Sequence, residues 1–342
     1  MDSISQIALG AGVGELVLGK KIGNKALLFG AIAGTIPDLD VFLHFFTHLS
    51  ESEALLVHRS YSHAAIPQLA IALPFTYLSY KLFKKQISFF RWYLLWYLGF
   101  LTHAMLDCCT TYGTQFFLPF SRYLVGLNNI SVVDPLYTIP FLILLAILLF
   151  YPKESKTRFI IAVLSVVLST GYIGYATLNK FKANSFFKDA LHKENIQFTQ
   201  FSTSPTLFTS FLWNMIAAND STIYVSEYSI FQSSQKPIIQ AYKRNLHLLD
   251  DCKNSEAVKT LLWFSQGKYF VEKGNNDTLD FYNIKWGRTD YTQINPKDAF
   301  RFYVKIYKDK NGVYTFDKVE PNFKRRDIKA YLSLIWHRIF DN

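Results

Sequence analysis

The sequence predicts a multi-span α-helical membrane domain, about four to five spans plus an N-terminal helix, over residues 1–179, and a soluble α+β domain with an antiparallel sheet over residues 180–342. Three observations lead there. The first 180 residues hold 22 Asp, Glu, Lys and Arg, whereas the last 162 hold 40. Residues 64–80, 92–106, 135–151 and 159–179 contain none of these four types, over lengths near the roughly 17–20 residues that a ~30 Å hydrocarbon layer requires. Beyond residue 179 the apolar residues fall instead in short β-branched and aromatic runs. With half its residues hydrophobic and only 18% charged, the chain is not a disordered one.

The N-terminal segment concentrates glycine at positions 10, 12, 14, 19, 23, 30 and 34. No strand precedes Gly10-x-Gly12-x-Gly14 and the spacing is wrong for a dinucleotide loop. Close helix packing accounts for it better, since Gly30 and Gly34 have the small-xxx-small separation. Met1-Asp2-Ser3 is an acidic start, and no cleavable signal peptide is expected. Residues 26–46 would be another span but for Asp38 and Asp40, so a helix is expected to end at Pro37 and deliver both carboxylates to an interface. Lys and Arg stay cytoplasmic. They cluster at Lys20, Lys21 and Lys25, at Lys81, Lys84, Lys85 and Arg91, and at Lys153, Lys156 and Arg158, which are alternate ends of successive segments. The opposite ends carry Asp38, Asp40, His58, His63, His103, Asp107 and Asp134, all on the outer face, and the C-terminal domain is expected on that same side.

Five of the eight histidines lie between residues 44 and 103. Ionisable residues at a membrane edge are costly and point to function. In His103-x-x-x-Asp107 the two side chains share one helix face, about 40° apart, the geometry of a metal-ligand pair or of a simple hydrogen bond. His58 and His63 converge only if a helix starts between them, with Ser62 as the expected N-cap. Arg59 serves either as a phosphate anchor or as a salt-bridge partner of Asp38 or Asp107. Pro37-Asp38-Leu39-Asp40 aims two carboxylates from beyond a proline. Asp134-Pro135 is a helix start in which Asp134 caps, ligates or acts as a base. Residues 110–114, Thr-Thr-Tyr-Gly-Thr, supply hydroxyls near Asp107 or form a plain turn. Three histidines and four carboxylates on one face suit one or two divalent ions, Zn²⁺ or Mn²⁺, which would generate a hydroxide nucleophile.

In the second half, residues 222–226, 269–272, 300–307 and 313–316 read as strands, with a hairpin turn at residues 309–312. Residues 255–266 and 324–339 read as helices. His192, His247 and His337 are isolated. The net charge of +10 divides as +4 and +6 between the halves. No nucleic-acid motif is present. Cys108 and Cys109 are adjacent and Cys252 is remote, a pattern that does not call for a disulfide.

The residues quoted, from Met1-Asp2-Ser3-Ile4-Ser5-Gln6 through Gly34-Thr35-Ile36-Pro37-Asp38-Leu39-Asp40, His58-Arg59-x-x-Ser62-His63, His103-x-x-x-Asp107 and Val133-Asp134-Pro135-Leu136-Tyr137, together resemble the YdjM-like family. Its members are described as inner-membrane-associated, metal-dependent hydrolases, and some of them as LexA-binding. Residues 211–214 and 223–228 resemble the C-terminal portion of its long-chain branch. The resemblance implies that Asp38, Asp40, His58, His63, His103 and Asp107 occupy metal-site positions, and it implies a distant relation to zinc-dependent phospholipase C and P1-type nucleases. Two departures stand out: Gln6 where other branches carry histidine, and Ala64 where a serine commonly follows the second histidine. The expected function is hydrolysis of a phosphoester in a lipid or envelope intermediate. Its rival is a non-enzymatic scaffold or sensor whose outer domain binds a partner. A transporter relay would need the aspartates at mid-membrane depth, and they sit at segment ends.

Overall fold

Asp2 starts the molecule's first helix by accepting the Ser5 N–H, as a cap does for the orphan donors of a first turn. In the computed structural model, which describes residues 1–42, 47, 49–232, 237–288, 295–319 and 328–340, the chain forms two units. One comprises Met1–His48, Leu56–Thr177 and Leu207–Thr209, and the other Leu49–Leu55, Leu178–Thr206 and Ser210–Asn342. The expected boundary at 179/180 falls inside a single 38-residue helix.

In the first unit, α1 (Ser3–Ile22) and α2 (Asn24–Thr35) form a hairpin turned at Gly23, whose φ of 57° a side chain would resist. The two helices touch backbone to backbone. A Cβ on Gly10 would lie 2.3 Å from the Gly30 carbonyl oxygen, which explains the small-residue spacing. A 3-10 turn, Ile36–Phe42, follows, then α3 (Glu51–Val57), whose residues up to Leu55 belong to the second unit, and a second 3-10 turn, Tyr61–His63. The remaining helices are α4 (Ala65–Leu82), α5 (Phe89–Cys108), α6 (Pro135–Leu148) and α7 (Lys156–Lys193). Helix α2 ends before Pro37, as expected; the end of the anticipated 26–46 segment, with His44 and His48, lies outside the described residues.

Trp92, Trp96 and Phe100 of α5 pack with Leu18, Ala26 and Ala33 of the hairpin, and Trp96 donates its indole N–H to Ser79 Oγ of α4 at 2.9 Å. Tyr137 and Phe141 of α6 join Ala8 and Ala11 of α1 and Ala162 of α7 in a second core. Among the described residues α7 alone is long and apolar enough by itself to cross a membrane, and α6 is a shorter apolar helix. The outer faces of these helices are nonetheless oily. Leu78, Leu82, Ile139, Ile143, Phe150, Val167 and Leu168 are all exposed.

The second unit is layered. Strands β1 (Gln200–Pro205), β2 (Leu212–Ala218), β3 (Thr222–Ser229) and β4 (Gln240–Lys243) make one antiparallel sheet in sequence order. After α8 (Glu256–Ser265), strands β5 (Tyr269–Lys273) and β6 (Leu279–Arg288), the short α9 (Pro296–Ala299), then β7 (Phe300–Lys308) and β8 (Tyr314–Lys318) complete a second such sheet. Ala183, Phe187 and Leu191 of α7 cover Trp213, Met215 and Ala217 on one face of the first sheet. The other face sets Ile216, Ile223 and Val225 against Phe270, Tyr282 and Ile284 of the second. Two sheets therefore replace the single one expected. Helix α10 (Ile328–Phe340) matches the end of the predicted 324–339 helix, whose first residues lie outside those described.

Ser255 caps α8 by accepting the Val258 N–H. Ser255→Ala should lower the stability of this unit by about 1 kcal/mol, read from denaturant unfolding of the full chain.

Candidate metal centre

Four side chains from three separate elements of the first unit converge. Asp38 comes from the 3-10 turn after α2, His63 from the turn before α4, and His103 and Asp107 from successive turns of α5. One ligand atom of each lies within 4.8 Å of the others. His63 Nε2 is 3.1 Å from His103 Nε2, 3.4 Å from Asp38 Oδ1 and 3.4 Å from Asp107 Oδ2. His103 Nε2 is 3.4 Å from Asp38 Oδ1 and 3.7 Å from Asp107 Oδ2. A tetrahedral ion with ligand bonds of ~2.0–2.1 Å places its ligands about 3.3–3.4 Å apart, close to these separations.

The hydrogen bonds fix what the imidazoles offer. His103 Nδ1 lies 2.7 Å from the Gly34 carbonyl oxygen, which only accepts, so Nδ1 carries the proton and Nε2 keeps its lone pair. The end of α2 provides that carbonyl because the last turn of a helix leaves acceptors unused. Ser62 Oγ is 2.9 Å from Asp40 Oδ2, to which it donates, and 2.9 Å from His63 Nδ1, from which it therefore accepts. In the neutral ring His63 Nε2 then holds the lone pair, and in the imidazolium it holds a proton. The two Nε2 atoms, 3.1 Å apart and flanked by carboxylate oxygens, share a proton in a hydrogen bond when His63 is charged, and a metal cation could take that proton's place. Asp107 Oδ2 is buried and already faces one cation, with Arg59 Nε at 3.0 Å. The donor set fits a divalent metal ion.

Burial opposes charge on Asp38, yet hydrogen bonds from His103 and His63 outweigh it and hold the carboxyl well below the usual range. Burial likewise opposes charge on Asp40, where His58 and His63 prevail. His63 would lose its proton by burial, but Asp107, Asp38 and Asp40 together push it up to about 10. A proton thus balances the anionic cluster when no metal does, and metal binding would release it.

The other expected site residues lie outside the converging set. Asp40 spends its carboxylate on three donors: His58 Nδ1, the Arg59 N–H and Ser62 Oγ, each at 2.9 Å. It orients His63 instead of joining the four. His58 is tied to Asp40 and stands edge-on to Tyr112, with ring centroids 5.1 Å apart. Arg59 is buried with Nε 3.0 Å from Asp107 Oδ2 and its guanidinium 4.8 Å over the Tyr112 ring, the salt-bridge alternative for that residue. Asp134 caps α6 through the Leu136 N–H and accepts the Tyr172 hydroxyl at 2.9 and 3.0 Å, so its oxygens are committed elsewhere. Ser62 is not the N-cap of α4; that position belongs to Ala64, and the 3-10 turn at Tyr61–His63 makes the change of direction.

Gln6 donates its amide to Asp107 Oδ1 at 3.0 Å, and the Met1 amino group reaches the same oxygen. Gln6 therefore holds a ligand carboxylate in place. The Gly34 carbonyl has no side-chain signature to find.

Residues 1–180 match the family model described as YdjM inner membrane protein. The chain belongs to that family. All four converging residues and their supports lie within the YdjM match. A relative is YfhP of Bacillus subtilis (strain 168), itself described as uncharacterized, 28% identical over 156 residues. That stretch is 43% of this chain and 46% of YfhP, so the chain spans less than half the length of this relative. No solved structure matches the chain.

Because supporting residues set ligand orientation, Asp40→Ala should weaken metal binding about 10–100-fold without abolishing it, as measured by competition with a chromogenic chelator.

Proposed function

We propose that this YdjM-family chain is a multi-pass membrane hydrolase that uses a divalent metal, Zn²⁺ or Mn²⁺, to cleave a phosphoester of a membrane lipid or envelope intermediate. The observation that carries it is the convergence of Asp38, His63, His103 and Asp107 with both Nε2 atoms turned inward. A bound ion of this kind lowers the pKa of its water toward 7 and polarises a phosphoryl oxygen. The chain's own part is to hold the ligands. Gly34 and Ser62 orient the imidazoles, and Gln6 and Arg59 brace Asp107. Asp38 is the ligand nearest water, with 24% of its side chain exposed while the other three are wholly buried, so substrate would enter past it.

The proposed topology has four to five spans, built on α4 to α7 with the glycine-rich hairpin beside them. Their apolar outer faces support this, as do the basic residues at alternate ends. Placing those ends in the cytoplasm sets the metal centre and the second unit on the non-cytoplasmic side. Elemental analysis of the purified full chain, with hydrolysis of bis(p-nitrophenyl) phosphate and of phospholipid vesicles, tests the proposal. Stoichiometric metal and metal-dependent phosphate release are expected; a protein free of metal and inert would favour the scaffold reading.

A further inference from the structure

Between Asp107 and Asp134 the chain carries a single charged residue, Arg122. Within that stretch, residues 114–125 form a loop closed at its base by paired hydrogen bonds between Thr114 and Val125, at 3.0 and 2.9 Å. Its foundations are the elements of the metal centre. Gln115 donates to the Arg59 carbonyl at 3.1 Å and to the Leu56 carbonyl at 2.8 Å, Ala65 donates to the Phe116 carbonyl at 3.2 Å, and Leu127 donates to the Cys108 carbonyl at 2.7 Å. The tip has its own turn, in which Phe120 and Ser121 donate to the Phe117 carbonyl. This is a fixed loop, and it turns its aromatic rings outward. Phe117, Phe120 and Tyr123, three residues apart, are 53%, 81% and 64% exposed.

Three solvent-facing aromatic rings on a braced backbone are costly in water and stable at the boundary between headgroups and acyl chains, where aromatic side chains concentrate. In the chain the loop lies between α5 and α6, whose exposed residues include Met105, Leu136, Ile139 and Ile143. Its one charge is cationic and exposed, complementary to phosphate headgroups, and no acidic residue in it would be repelled there.

We infer that residues 114–125 form an interfacial anchor, with Phe117, Phe120 and Tyr123 inserted among phospholipid headgroups and Arg122 at the phosphate level. The candidate metal centre built on the same elements then stands at headgroup depth. The inference rests on the topology proposed above and not on the hydrolytic reading.

Spin labels test it in the full chain reconstituted into vesicles of phosphatidylethanolamine and phosphatidylglycerol. The background is Cys109→Ala, since Cys108 and Cys252 are buried. Labels go at Phe120→Cys or Tyr123→Cys, with Lys310→Cys in the β7–β8 turn as the aqueous reference and Leu168→Cys in α7 as the lipid reference. The ratio of collision rates with oxygen and with anionic chromium oxalate should be about tenfold higher at 120 than at 310, because hydrocarbon excludes charged solutes. A water-like ratio at 120 and 123 with a lipid-like ratio at 168 overturns the anchor alone. Water-like ratios at all four positions overturn the topology as well. Dipolar broadening between labels at 120 identifies a second copy of the chain as the occupant and also overturns the inference.

Discussion

Replacing His103 and Asp107 together by alanine should leave the purified chain without bound metal and without metal-dependent phosphoester cleavage. The two residues supply one imidazole nitrogen and one carboxylate oxygen to a set of four, and they do so from adjacent turns of the same helix. Loss of both leaves Asp38 and His63, which come from separate turns, and a divalent ion held by two ligands exchanges freely with solvent. The effect should exceed the about 10–100-fold that removal of a supporting residue causes. The same change leaves Arg59 without its carboxylate partner and the Gly34 carbonyl without its donor, so folding must be checked in parallel. His103→Gln separates the two effects, because it retains a side-chain donor for the Gly34 carbonyl while removing the imidazole. Metal retained in the folded double variant would remove the centre from consideration and leave a hydrogen-bonded polar network.

The centre was legible in the sequence where its geometry is local. His103-x-x-x-Asp107 fixes two side chains on one helix face from spacing alone, and the structure brings them to the same point. Asp38 and Asp40 looked equivalent, but they are separated by the path of the chain after Pro37. One carboxylate turns to the imidazoles while the other collects three donors. No spacing rule tells them apart, since the choice depends on where the Tyr61–His63 turn docks. For Asp134 the sequence left a cap, a ligand and a base open, and in the structure it caps α6. In the second unit the strands that show polar and apolar alternation were recognisable, as at Thr222–Ser229. Strand β2 was not, because both of its faces are covered and all seven of its residues are buried, which erases the period of two. Strand β6 hides for a related reason: it buries Asp280, Asn283, Lys285 and Arg288. Asp280 is met there by the Tyr303 hydroxyl and Lys297, each at 2.8 Å.

Arg158→Ala should destabilise the membrane unit by about 3–5 kcal/mol, the cost of breaking a buried ion pair. At the foot of α7 the guanidinium meets Glu15 of α1 through two parallel bonds, Nε to Oε1 at 2.7 Å and Nη2 to Oε2 at 2.8 Å. Its remaining nitrogen, Nη1, donates to Asn24 Oδ1 and to the Tyr151 carbonyl, each at 2.8 Å. Both charged side chains are buried, and Gly19 leaves the room that the carboxylate occupies. Substituting only the arginine strands an anion among apolar helices and frees two acceptors, so the loss comes mainly from desolvation that nothing offsets. Replacing both members, as Glu15→Leu with Arg158→Met, removes that desolvation and should recover most of the stability. Thermal unfolding of the full chain in detergent distinguishes the cases. A double variant as unstable as Arg158→Ala would mean that the pair contributes through the geometry it imposes on Asn24 and Tyr151. The pair would then act as the clasp fixing α7 to the helical hairpin on which the metal centre is built.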